Sequence, residues 1–175
     1  MPDDSKRKQV LGLIVWLLIA FSAAAVGGAA SVNSPEFYRQ LDRPTWAPPA
    51  SAFGPVWTVL YALLAASVIA IRRRSPASER GPIYFLYGSN LALNLAWTLI
   101  FFRGRSPLAA GVEIVVLEGT CVALIVRAWP ASRLAALALV PYAAWVAFAT
   151  ALTWSIAARN RWTCRSLVGA HRRRA

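Results

Sequence analysis

The sequence predicts an all-α, polytopic membrane protein that folds as a five-transmembrane-helix bundle. Hydrophobic residues make up 58% of its 175 residues and charged residues only 15%, whereas a typical soluble domain has about 25% charged residues. Five apolar stretches each approach the roughly 20 residues that a helix needs to cross a bilayer. They cover approximately residues 10–31, 53–71, 83–102, 107–128 and 134–157. We expect one bundle domain over residues 1–160 and a basic tail over 161–175.

The first apolar stretch also has features of a secretory signal peptide. Basic residues 6–8 precede it, and the small residues 23–25 resemble a cleavage site. Its length of about 20 residues exceeds the 7–15 residues of a signal-peptide apolar region, which favours a retained membrane helix.

The connection at residues 32–52 is the one long loop between the predicted helices. It carries Phe37, Tyr38 and Trp46 together with four prolines that restrict its backbone. A long aromatic loop of this kind is typical of an ordered lid over a site. Tryptophan and tyrosine also form belts at the membrane interface, so both interpretations stay open.

Three of the predicted helices carry aromatic stripes at helical spacing. The stripes are Phe53, Trp57 and Tyr61; Tyr87, Asn90, Asn94, Trp97 and Phe101; and Tyr142, Trp145 and Ala149. Amide side chains are costly in lipid, so the second stripe is expected to face the bundle interior. Helix packing explains a single stripe, but three stripes and an aromatic loop indicate a flat apolar pocket with a few polar anchors.

The last two helices add carboxylates and small residues. Glu113 and Glu118 lie about 140° apart on one helix, and intramembrane carboxylates suggest function unless they are protonated or bonded within an oligomer contact. Ala143, Ala147 and Ala151 follow small-xxx-small spacing. That spacing fits intramolecular packing and a possible homodimer equally well.

The cations flank the apolar stretches. The chain has 19 Lys and Arg against 7 Asp and Glu, a net charge of +12, and every cation lies between or outside the predicted helices or, for Arg127, at the end of one. This pattern indicates contact with lipid headgroups and not a nucleic-acid surface. We therefore expect an integral, multi-pass membrane protein with the lipid bilayer as partner and no nucleic acid.

The sequence contains none of the common catalytic or cofactor-binding motifs. The single histidine, His171, lies in the tail, and no metal-ligand spacing, P-loop, dinucleotide fingerprint or GxSxG motif is found. We predict no metal site, no catalytic residues and no required cofactor, and we expect Cys121 to act as a small buried apolar residue.

Three sequence blocks together resemble the tryptophan-rich sensory protein family, also called the TspO, translocator protein or peripheral benzodiazepine receptor family. The blocks are RPTWAPP at 43–49 with FGPVWT at 53–58, LNLAW at 93–97 with FF at 101–102, and PYAAW at 141–145. The resemblance covers about residues 10–160. It implies a five-helix bundle, often dimeric, whose cavity is covered by the first loop and takes porphyrins, other tetrapyrroles or synthetic isoquinoline and benzodiazepine drugs. This chain departs from the family pattern at Phe37, where Trp is usual, and at Thr153, where Asn is usual.

Carried over by these motifs, the ligand-binding residues come from the loop and three helices. They are Tyr38, Trp46, Pro48, Phe53, Trp57, Tyr61, Asn94, Trp97, Trp145 and Ala149. We expect a sensor, carrier or scavenger of porphyrin or haem-type tetrapyrroles, with Asn94 as a polar anchor and with Arg39 and Arg43 pairing with propionates. The alternatives are an enzyme-like, light-dependent degradation of porphyrin and a membrane assembly subunit that binds a partner.

Overall fold

The computed structural model describes residues 34–76 and 80–160, and these contain helices and no strand. The predicted helix at 10–31 and the tail at 161–175 lie outside the described residues. A short helix, α1, lies in the first loop, and four long helices follow it. The helices are α1 Ser34–Gln40, α2 Phe53–Arg74, α3 Arg80–Thr98, α4 Pro107–Ala131 and α5 Arg133–Arg159.

Within residues 34–76 and 80–160, four helical segments are long and apolar enough to cross a membrane. They are Ala50–Arg74, Arg80–Arg103, Pro107–Ala131 and Arg133–Arg159. A single 3-10 turn, Ala50–Ala52, extends α2 at its start, and a π-helical turn, Leu99–Arg103, extends α3 at its end. These segments confirm four of the predicted spans to within about three residues and make the protein an integral, multi-pass membrane protein.

Local sequence explains where the long helices begin and end. Pro107 starts α4, at a position where its missing N–H has no partner to lose. The Ser132 hydroxyl caps α5 by accepting from the Ala135 amide at 3.3 Å. Three arginines, residues 72–74, end α2, where positive charge is favoured both by the helix dipole and by lipid headgroups.

The long helices pack in the order α3, α4, α5, α2, with close backbone contact between each neighbouring pair. Side chains connect α2 to α3: Ser67 Oγ and Tyr87 Oη are 2.7 Å apart, and both residues are fully buried. The contact between α4 and α5 is especially close at Gly111, where a Cβ atom would lie 3.3 Å from the Trp154 ring. The described helices therefore surround a common interior.

The π-helical turn ends in a tight connection to α4. The Gly104 amide donates to the Leu99 carbonyl at 2.8 Å, and a Cβ atom at Gly104 would lie 2.8 Å from the Ile100 carbonyl oxygen. Only glycine fits there without a shift of the backbone. Arg105 follows in the left-handed region, with φ of 47°, and its guanidinium lies 5.7 Å from the Phe37 ring centroid. The end of α3 is thereby tied to α1.

Candidate functional site

A hydrogen-bonded network of side chains joins all four long helices. Tyr61 Oη on α2 donates to Asn94 Oδ1 on α3 at 2.9 Å, and Asn94 Nδ2 lies 3.5 Å from Tyr142 Oη on α5. Tyr142 Oη donates to Asn90 Oδ1 at 2.8 Å, and Asn90 Nδ2 donates to Thr120 Oγ1 on α4 at 2.8 Å. Asn90, Asn94 and Tyr142 are buried, which confirms that the amide stripe of α3 faces the interior. A satisfied polar network of this kind fixes the relative positions of its helices.

Cys121 lies beside this network. It is 1% exposed, and its Sγ atom accepts from Asn90 Nδ2 at 3.3 Å. Its burial confirms the predicted packing role, and the contact with Asn90 is an additional polar interaction that the sequence did not reveal.

Aromatic side chains of α2 and α5 form one cluster next to the network. We call Phe53, Trp57, Trp145 and Phe148 the α2–α5 aromatic cluster. The ring centroids of Phe53 and Trp145 are 6.1 Å apart, and those of Trp145 and Phe148 are 5.3 Å apart. Trp57 stacks on Tyr61 at 5.5 Å and meets Tyr142 edge to face at 6.3 Å, so Trp57 contacts the polar network directly.

A second group, the α3 aromatic cluster, consists of Trp97, Phe101 and Phe102. Trp97 stacks on Phe101 at 5.2 Å, and Phe101 meets Phe102 edge to face at 4.9 Å. Trp97 packs against the central hydrophobic core and also against a smaller core around Tyr38 and Phe101. The aromatic stripes of the helices are therefore brought to the same part of the bundle.

The loop at residues 34–52, which we call the covering loop, connects both clusters. Phe37 lies 6.0 Å from Phe101 in the α3 cluster, and Tyr38 lies 5.5 Å from Phe53 in the α2–α5 cluster. Tyr38 is 3% exposed. Its hydroxyl donates to the Pro48 carbonyl at 3.1 Å, and the Arg43 guanidinium lies 4.7 Å from its ring centroid. The covering loop is thus ordered and closed over the bundle.

Burial raises the pKa of the Tyr38 phenol, and the hydrogen bond and charge of Arg43 offset part of this effect. The hydroxyl therefore keeps its proton, and can donate to Pro48, throughout the neutral and mildly alkaline range.

Trp46 occupies the edge of the covering loop. It is 50% exposed, and its ring meets Phe148 edge to face at 5.7 Å. The half-exposed position is also typical of a tryptophan at a membrane interface. The buried Tyr38 fits the lid interpretation. The half-exposed Trp46 fits a position in the interfacial belt and a position in the ligand site equally well.

The end of α5 holds the covering loop in place. The Asn160 side chain accepts from the Asp42 amide at 3.1 Å and donates to the Asp42 carbonyl at 3.0 Å. Asn160 Nδ2 also donates to the Ile156 carbonyl at 2.8 Å, which fixes the side chain on its own helix. Arg159 adds an exposed ion pair with Asp42 at 3.7 Å. We call the Asn160–Asp42 contact the loop latch.

Replacing Asn160 by alanine is expected to speed hydrogen exchange of the Asp42 amide by about tenfold or more, because the amide loses its acceptor and the loop loses two hydrogen bonds. Exchange measured in lipid nanodiscs checks this prediction. Arg159→Ala is the matched control: an exposed ion pair contributes little, so it should change the rate less than twofold. Equal protection in Asn160→Ala and the unmodified protein would contradict a latch.

Some predicted polar anchors are already engaged. Arg39 pairs with Glu36 at 2.7 Å on the exposed side of α1, and Arg43 lies over Tyr38. Asn94 accepts from Tyr61 and contacts Tyr142. Ala149 is buried one helical turn after Trp145, at 8% exposure. These contacts are compatible with the predicted site residues. The two hydrogen bonds of Asn94 leave fewer of its donors and acceptors available to a ligand.

Several buried polar atoms have no hydrogen-bond partner within the described part of the chain. They are the indole nitrogens of Trp97 and Trp145, both carboxylate oxygens of Glu113 and one oxygen of Glu118. The two carboxylates lie on either side of the buried face of α4. No contact of the described residues assigns them a role, so their function stays a prediction. The indoles lie within the aromatic clusters.

Comparisons with known proteins agree with this architecture. The model of the TspO/MBR family matches residues 14–159. The chain is similar to the tryptophan-rich protein TspO of Chlorobaculum tepidum, with 34% identity over 88% of this chain and 99% of the relative. It is also similar to the translocator protein of Homo sapiens, with 36% identity over 69% of this chain and 72% of that protein. Protein CrtK of Rhodobacter capsulatus is 31% identical over 83% of this chain and 92% of its own. The chain belongs to the TspO/MBR family.

Proposed function

We propose that this membrane protein binds a flat tetrapyrrole between α2, α3 and α5, beneath the covering loop. The observation that carries the proposal is the placement of Tyr38 and Phe37, which connect the two aromatic clusters beside a satisfied amide network. Flat macrocycles gain most from stacking on tryptophan and tyrosine rings, and apolar pockets with few polar groups are the usual form of small-molecule sites.

Partial burial of the tryptophans supports ligand contact over simple helix packing. Phe101, Tyr142 and Ala149 are almost fully buried, yet Trp57, Trp97 and Trp145 keep part of their surface accessible while they pack against the core. Accessible aromatic faces beside an ordered loop are suited to stacking with a ligand. The ligand-binding set in this proposal is the one predicted from the sequence, with Trp46 and Pro48 at the loop edge.

We further propose that residues 10–31 form a fifth membrane-spanning helix, because their length and composition match those of the four spans. The homodimer is also a proposal. Ala147 and Ala151 are exposed on α5, where small residues would allow a second copy to approach closely.

The biological role is that of a sensor, carrier or scavenger of the tetrapyrrole. The name of the human relative, translocator protein, supports a carrier role. No residue of the described chain is assigned to catalysis in this proposal, and the ligand is not a required cofactor.

Titration of protoporphyrin into the protein in lipid nanodiscs tests this proposal. We expect saturable binding, with the affinity lowered about tenfold in Trp145→Ala because one stacking contact contributes about 1–3 kcal/mol. Trp129→Ala is the matched control, since Trp129 is 49% exposed near the end of α4 and contacts Arg133. Absence of saturable binding, or equal losses in both variants, would reject the site.

Illumination of the same complexes separates binding from breakdown. Loss of the porphyrin Soret band in light, with product formation slowed in Trp57→Phe, would assign the enzyme-like degradation. A stable Soret band with intact binding supports the sensor, carrier or scavenger role. Loss of association in an Ala147→Leu variant, with porphyrin affinity unchanged, would show that partner binding is a separate function.

A further inference from the structure

Trp97 and Trp145 each carry a buried indole N–H with no acceptor in the described part of the chain. Their neighbours do not supply one. The Phe101 and Phe102 rings lie against Trp97, and the Phe53 and Phe148 rings lie against Trp145. Phenyl rings offer no lone pair to an indole N–H, and no other group of the described residues accepts from either indole.

The nearby polar side chains are already bonded to one another. The Tyr61 hydroxyl donates to Asn94, and the Tyr142 hydroxyl donates to Asn90. The Tyr38 hydroxyl donates to the Pro48 carbonyl. Trp97 and Trp145 are therefore the site residues in the described part of the chain whose donors are both buried and unpaired.

An unpaired buried donor has an energetic cost. The indole nitrogen can only donate, and a buried donor without an acceptor loses the hydrogen bond that water would provide. An occupant that supplies an acceptor removes this cost, whereas an occupant of the same shape without one leaves it in place. Sites with buried donors consequently discriminate strongly against analogues that lack the matching group.

We infer that Trp97 and Trp145 select for tetrapyrroles that carry oxygen acceptors, such as carbonyl or carboxylate groups, over hydrocarbon macrocycles of the same shape. This inference rests on the proposed function and deepens it. The indole N–H groups determine which tetrapyrroles bind, and the aromatic faces provide the stacking surface common to all of them.

Three porphyrins of matched shape test the inference. Mesoporphyrin carries two carboxylates, its dimethyl ester carries neutral carbonyl acceptors, and etioporphyrin carries no oxygen. Each is titrated into the full chain in nanodiscs, and partition into empty nanodiscs is subtracted. We expect the ester to bind about tenfold more tightly than etioporphyrin, which is the effect of about one net hydrogen bond.

Tryptophan-to-phenylalanine variants locate the effect. The ester-to-etioporphyrin affinity ratio is expected to fall toward one in the double variant Trp97→Phe, Trp145→Phe, and to stay near its original value in Trp129→Phe. Raman spectra add a readout that a purely structural role would not change: the indole band that reports N–H hydrogen bonding should shift on addition of the ester and not on addition of etioporphyrin.

Each other result overturns the inference in a distinguishable way. If the ester and etioporphyrin bind equally, with indole bands already hydrogen-bonded in the free protein, residues outside the described part supply the acceptor and the proposed function still stands. If only the carboxylate form binds tightly, charge pairing and not indole donation provides the selectivity. If no porphyrin binds, the inference and the proposed function both fail.

Discussion

Replacing Asn90 by leucine is expected to lower the free energy of unfolding by about 2 kcal/mol. Asn90 is fully buried and bonds to Tyr142, Thr120 and Cys121. Hydrogen bonds inside membrane proteins contribute about 0.6 kcal/mol on average, and the Tyr142 hydroxyl is additionally left without its acceptor. Unfolding in mixed micelles, followed by circular dichroism, measures the change.

A double-mutant cycle gives the control for Asn90. In a Tyr142→Phe background the hydroxyl that needs Asn90 is absent, so Asn90→Leu should cost less there. Ser89→Ala, one position earlier and outside the network, should change stability by less than about 0.5 kcal/mol. Strict additivity of the Asn90 and Tyr142 changes would contradict a shared network.

Replacing Tyr38 by alanine is expected to open the covering loop. The change removes a nearly buried ring that contacts Phe53 and Arg43, and it removes the hydrogen bond to Pro48. Large-to-small changes of buried aromatic residues cost about 3–5 kcal/mol. We expect at least tenfold faster hydrogen exchange over residues 38–48, together with at least tenfold weaker porphyrin binding.

Tyr38→Phe is the matched variant for this prediction. It keeps the ring contacts and loses only the donor to Pro48, so its effect on exchange should be a few-fold at most. The expected order is therefore a large effect for alanine and a small one for phenylalanine. A loop that remains fully protected in Tyr38→Ala would show that other residues close it.

Periodicity in the sequence predicted the long helices and their inward faces because both depend on the spacing of residues along a single helix. Asn90 and Asn94 share a face with aromatic residues, and lipid cannot satisfy amides, so the direction of that face follows from the sequence. Tyr142 lay on a separate aromatic stripe, whose inward direction was indicated only by the three stripes taken together with the aromatic loop. The family resemblance favoured the lid interpretation of the loop and added the combination of residues from separate helices.

Other features depend on contacts that periodicity does not encode. Asp42 and Asn160 are 118 residues apart, so the loop latch has no local signal. The π-helical turn at the end of α3 carries Phe101 and Phe102, which both contact Trp97, but an ordinary α-helix would accommodate the same aromatic pattern, so the pattern did not indicate the turn. Gly104 was the available sequence signal for the tight connection between α3 and α4, because glycine often marks a close backbone approach.

Polar anchors were the least predictable part of the site. Sequence reasoning assigned ligand recognition to Asn94, Arg39 and Arg43 because such residue types bind polar groups. The fold places them in contact with Tyr61, Glu36 and Tyr38, respectively, and their roles in ligand recognition stay predictions. Which donors are left unpaired is decided by the whole set of neighbours, and so the indoles of Trp97 and Trp145 emerge only from the structure.

The position of a bound metalloporphyrin tests the central claim most directly. Crystals of the protein grown in lipid with zinc protoporphyrin would give an anomalous peak at the zinc atom. We predict one peak per chain among α2, α3 and α5, beneath the covering loop and within contact distance of the macrocycle from Trp145 and Phe53. A peak on the outward surface of α4, with the aromatic clusters unchanged, would contradict the account.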